Sequence, residues 1–125
     1  MKELLLVGLG GFLGSIARYK ISTLLLAQTL RQGFPLGTLC VNILGCFLIG
    51  ILAGLDLRLN SLGQHGKLLL ITGLLGGFTT FSAFGLETMA LMKRQQIGMA
   101  VGNIVLSVCL GLLAVWLGGR LSLPR

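Results

Sequence analysis

Apolar residues run along the chain in four long blocks, interrupted mainly by glycine and a few polar side chains. The blocks cover about 4–30, 36–55, 68–92 and 97–119, and each can hold the roughly 20 residues that carry a helix across a bilayer. Short polar connectors separate them: 31-RQGFP-35, 56-DLRLNSLGQHGK-67 and 93-KRQQ-96. The pattern predicts an all-α integral membrane protein, one domain over residues 1–125, with four transmembrane helices. Pro35 stands just ahead of the second span, where its missing N–H costs little. The first block runs on past the point where a signal peptidase would cut, so no cleaved secretory signal is expected.

The third block breaks this regularity. Its stretch 73-GLLGGFTTFSAF-84 carries three glycines, two threonines and a serine. Irregular backbone survives at membrane depth only where it is buried in protein or lines a watery cavity. Gly73, Gly76 and Gly77 loosen the helix, and Thr79, Thr80 and Ser82 can cap the ends that a break frees. A helix broken near mid-membrane is therefore expected. It offers free carbonyls to a cation and half-helix N–H groups to an anion. Phe81 and Phe84 then share one face of the restarted helix. Ring edges carry positive charge and can line an anion's path, whereas packing against lipid or core is the plainer role for such a pair.

Composition agrees with a membrane protein: 54% of residues are hydrophobic and 10% charged, against roughly 25% charged in soluble domains. The net charge of +7 does not point to nucleic acid, because the cations lie mostly in connectors and no face interleaves them with aromatics. Lys2, Arg58, Lys67, Arg120 and Arg125 share one side; Arg31, Lys93 and Arg94 hold the other, joined by Arg18 and Lys20 if these count there. With five cations against five, the positive-inside rule favours neither orientation. Insertion both ways, as an antiparallel homodimer, is then an open arrangement. Cys40, Cys46 and Cys109 fall in apolar blocks with no CxxC pair and read as free thiols.

Each span also holds two glycines four apart: Gly10 and Gly14, Gly50 and Gly54, Gly73 and Gly77, Gly98 and Gly102. Such pairs let helix backbones approach closely. Helices packed that tightly leave little lumen inside one subunit, so a pathway would run along a subunit interface; plain helix packing needs no pathway.

Polar residues inside the spans are costly and mark candidate sites. Asn42, in the middle third of the second span, can donate to an anion or bridge two helices. Thr38 lies one turn earlier on the same face, and Asn103 and Ser107 repeat that spacing in the fourth span. Glu87 is the acid inside a span; it suits a proton-coupled exporter, or a group reaching toward the helix end. Arg18 is either an interfacial anchor or a cation that draws anions into a vestibule.

Three segments then carry a resemblance. The stretches 10-GGFLGSIARY-19, 37-GTLCVNILGCFLIG-50 and 73-GLLGGFTTFSAFGLE-87 resemble, in order and spacing, the motifs of the CrcB/Fluc family of fluoride channels. The resemblance implies antiparallel, dual-topology homodimers in the bacterial inner membrane, with two fluoride pathways along the subunit interface that export cytoplasmic fluoride passively. It implies that Asn42 is a pore-lining donor, that Phe81 and Phe84 contact fluoride, and that Ser82 and Ser107 line the path with Glu87 near its polar track. It further implies a central structural sodium ion held by the carbonyls of Gly76 and Thr79. Ala83 and Gly111 stand where members often carry hydroxyl residues, which bears on conductance or hydration and leaves Asn42 and both rings in place. The alternative is a proton-coupled small-ion or small-cation exporter of dual topology using Glu87. Small four-helix exporters need an acid deep in the first span, and here the first span has only Glu3 at its start. An enzyme is not expected, because no nucleophile–base pair or metal-ligand cluster falls in the spans.

Overall fold

The computed structural model describes residues 1–60 and 62–123, so Arg125 of the charge tally lies outside the described residues. All regular structure among them is helical. Four segments are long and apolar enough to cross a membrane: Lys2–Leu24, Leu36–Leu59, Gly63–Lys93 and Ile97–Ser122.

The first apolar block forms two helices rather than one. Helix α1 (Lys2–Leu24) stops at Leu25, and α2 (Leu26–Gln32) follows at once. Gly33 ends α2 in the left-handed conformation, φ 68°, donating its N–H to the Thr29 carbonyl at 2.8 Å. Arg18 and Lys20 therefore sit in the last two turns of α1. Helix α3 (Leu36–Leu59) begins after Pro35 and runs through Asp56 and Arg58 of the expected connector. Asn60, left-handed at φ 45°, closes it. An ion pair of 2.7 Å between Lys67 and Asp56 ties that end to the start of the third span.

The third span is composite. One turn, α4 (Gly63–Gly66), leads into a π-helical stretch, Lys67–Leu75, and then α5 (Gly76–Phe78). Thr79 and Thr80 are extended, at φ −83° ψ 155° and φ −149° ψ 118°, before α6 (Phe81–Lys93) restarts the helix. The fourth span is the unbroken α7 (Ile97–Ser122).

Three of the four glycine pairs set the packing. Backbone meets backbone where Gly10 and Gly14 of α1 cross Gly73 and Gly77: a Cβ on Gly73 would lie 3.0 Å from the Gly10 Cα, and one on Gly77 2.9 Å from the Gly11 Cα. Gly50 of α3 does the same against Val115 and Gly119 of α7, while Gly54 makes room for the Ser122 side chain. The fourth pair is different, since a Cβ on Gly98 or Gly102 would meet nothing within 4 Å. Val41, Leu75 and Phe78 form a small buried core where α3 meets the segment before the break, with Ala17 and Ile21 of α1 packed on it. Large apolar side chains elsewhere point outward, as lipid tails permit.

Candidate functional site

The break is held open by a side chain from another helix. The Thr80 N–H donates to Asn42 Oδ1 at 2.8 Å, and Asn42 Nδ2 donates to the Thr80 carbonyl at 3.0 Å. One amide thus satisfies both backbone groups of the residue at the break, the condition for irregular backbone in lipid. Of the two roles open to Asn42, bridging is present; the second Nδ2 proton stays free of Thr80.

Local capping completes the turn. Thr80 Oγ1 accepts the Ala83 N–H at 3.2 Å as the N-cap of α6, and Thr79 Oγ1 donates to the Leu75 carbonyl at 2.9 Å. These bonds have a consequence for two carbonyls. In a continuous helix the Gly76 carbonyl would accept from Thr80 and the Thr79 carbonyl from Ala83. Both N–H groups are diverted to side-chain oxygens, so both carbonyls lose their helical donors.

A cavity of about 390 Å³ opens beside the break. Asn42 and Cys46 line it from α3, Gly76, Thr79 and Thr80 from the break, and Ser107 from α7. Phe81 and Phe84 complete the wall, their ring centroids 5.4 Å apart and the planes tilted by 40°. Phe81 is 84% exposed, so the cavity opens on the flank of the bundle rather than along its axis. Such a site offers an amide N–H, hydroxyls and ring edges on an otherwise apolar surface.

Other expected residues lie apart from this cavity. Ser82 is exposed, its hydroxyl 3.2 Å from Thr80 Oγ1. Thr38 turns to Glu87 and donates to its Oε1 at 2.7 Å, while Glu87 Oε2 is buried with no hydrogen-bond partner among the described residues. Glu87 lines a second cavity, of about 270 Å³, toward the α2–α3 and α6–α7 turns. Arg18 is half-buried and lines neither cavity. Asn103 and Ser107 do not form one polar track: Asn103 is buried and donates to Thr88 Oγ1 at 2.9 Å, so only Ser107 reaches the cavity.

Sequence reasoning passed over Thr88. Its hydroxyl donates to the Phe84 carbonyl at 2.7 Å while accepting from Asn103, which fixes the backbone under the Phe84 ring to α7. A threonine within a helix is itself the signal for a bond back to the carbonyl four residues earlier.

Comparison with known proteins places the chain. Residues 5–119 match the family model described as CrcB-like protein, Camphor Resistance (CrcB). A relative from Methylobacillus flagellatus is 49% identical over 121 residues, covering 97% of this chain and 94% of the relative. One from Paracoccus denitrificans is 54% identical over 112 residues, 90% of this chain and 87% of the relative. Another, from Rhizobium meliloti, is 46% identical over 118 residues, 94% of each. All three are named fluoride-specific ion channel FluC. With four apolar helices, a match along nearly its whole length and relatives this close, the chain is a multi-pass membrane protein that belongs to the CrcB family.

Proposed function

We propose that this chain is one subunit of a passive, fluoride-selective channel, an antiparallel homodimer in the bacterial inner membrane that releases cytoplasmic fluoride. The observation that carries this reading is the cavity at the break, where the Asn42 amide, the Phe81 and Phe84 rings and the Ser107 hydroxyl face one volume. Fluoride is small and strongly hydrated, so a selective path must replace its water with fixed donors and still let it leave. Single N–H, O–H and ring-edge contacts, spaced along a wall, meet both demands. Exposure of Phe81 suits a path completed by a second copy, whose rings would face the same volume.

The carbonyls of Gly76 and Thr79 fit a structural sodium ion. Both have lost their helical donors to the side chains that make the break, and carbonyl oxygen suits a hard cation. Bound there, the ion would add a fixed positive charge near the anion path. Asn42 and Thr80 hold the two carbonyls in place, and Ser82 lies one residue beyond Phe81 at the exposed start of α6.

The purified protein in fluoride-loaded liposomes tests the proposal. Fast fluoride release under a counter-ion path alone, with chloride retained, is the expected result; no fluoride release from a folded dimer overturns it. Phe81→Ile is expected to cut release by about tenfold or more, because ring edges are lost while side-chain bulk is roughly kept. The same variant is expected to elute as the wild-type dimer, and unchanged release would remove that ring from the path.

A second reading has one observation in its favour, the buried Glu87 Oε2 without a partner among the described residues. A proton-coupled exporter would use that carboxyl, and Glu87→Gln would abolish transport in it. In a passive channel the same variant still conducts without a proton gradient.

A further inference from the structure

The second cavity brings together a cation and an acid that the channel reading leaves without a division of labour. It is lined by Thr29, Gly33, Pro35, Glu87 and Arg94, among others. Gly33 and Arg94 belong to the turns at one end of the bundle, so the mouth lies there. Glu87 lies seven residues before Arg94, which on a helix is about two turns deeper, roughly 10 Å, and nearly the same face. At the floor Thr38 donates to Glu87 Oε1, and Thr38 stands one turn from Asn42 on α3. Glu87 of this cavity is thus bonded to a residue one helical turn from Asn42, which lines the first cavity.

Resting on the channel reading above, we infer that Arg94 is the residue that admits the anion at this mouth, by offsetting the charge of Glu87. Ionised, Glu87 would turn away any anion that entered this largely apolar cavity. Arg94 is the positive side chain on the cavity wall, and Arg31 and Lys93, though close in sequence, do not line it. While Glu87 is ionised, Arg94 leaves the cavity without net charge. Without Arg94, that ionised carboxylate faces a negative ion unopposed. In an antiparallel dimer each subunit presents one such mouth, one on either side of the membrane. Arg94 acts here on the approach of the ion, and its effect is a charge effect that salt can screen.

The test is fluoride release from liposomes by wild type, Arg94→Lys, Arg94→Gln and Arg94→Glu, at ionic strengths from about 0.01 M, where the Debye length is about 30 Å, to about 1 M, where it is about 3 Å. At low salt release is expected to fall about threefold to tenfold in Arg94→Gln and further in Arg94→Glu, with Arg94→Lys near wild type. The differences are expected to close at high salt. Arg94→Gln combined with Glu87→Gln is expected to recover much of the low-salt loss relative to Glu87→Gln alone, which a merely structural role for Arg94 would not give. Equal release from all four proteins, a deficit independent of salt, or an Arg94→Lys as slow as Arg94→Gln would each overturn the inference. Wild-type protein that releases no fluoride would instead overturn the channel reading itself.

Discussion

Asn42→Ala is expected to collapse the break and abolish fluoride release together. The substitution removes the acceptor for the Thr80 N–H at 2.8 Å and the donor to the Thr80 carbonyl at 3.0 Å. Each backbone group left unmet costs about 1–3 kcal/mol, and membrane surroundings give no water to take over. As N-cap of α6, Thr80 already gives its carbonyl to the first intrahelical N–H, so the loss is about 1–3 kcal/mol for the Thr80 N–H, a sizeable share of what holds a helical bundle together. Asn42→Asp separates the two effects. It keeps an acceptor for the N–H but sets an oxygen against the Thr80 carbonyl and puts negative charge beside an anion's path. A milder loss of thermal stability with an equally deep loss of flux is expected. Thermal unfolding in detergent, read beside liposome flux, checks both. Wild-type flux and melting in Asn42→Ala would show that the break stands without this amide.

Gly14→Val is expected to be as damaging, for a reason of geometry alone. A Cβ on Gly14 would run into the Leu74 carbonyl oxygen and lie 2.8 Å from the Phe78 nitrogen. Both obstacles are backbone, so no side chain can swing aside, and α1 would have to lift off the segment that leads into the break. Overpacking of this kind costs about 1–3 kcal/mol and more where nothing yields. Gly102→Ala is the contrast, because nothing lies within 4 Å of its added carbon. The subunit is expected to melt unchanged with it. If the α7 face around Gly102 is covered in the dimer, size-exclusion chromatography will show weakened association instead.

The break itself was legible, because glycines, threonines and a serine in an apolar span contradict everything else about that span. Its means of support was not. Nothing local says that Asn42 rather than Thr38 would reach Thr80, or that Thr38 would turn to Glu87, 49 residues away. Both choices depend on how α3 rotates against the third span, where Gly45 admits the Phe78 and Thr79 side chains, and no residue type along α3 declares that rotation. The end of α1 was illegible for a different reason. Leu24 to Leu30 is mostly apolar with no glycine or proline, so hydrophobicity continues where the helix stops at Leu25. Asn103 and Ser107 shared a spacing but parted company, since only a partner such as Thr88 decides which polar side chain turns inward.

The support of the break from α3 also dictates an order of assembly. A broken third span alone in the bilayer would have no acceptor for the Thr80 N–H, so its lowest-cost form there is a continuous helix. It can bend open only when Asn42 arrives. Synthesis supplies α3 first, and the span made afterwards is remodelled as it docks, acquiring its irregular shape from a neighbour already in place.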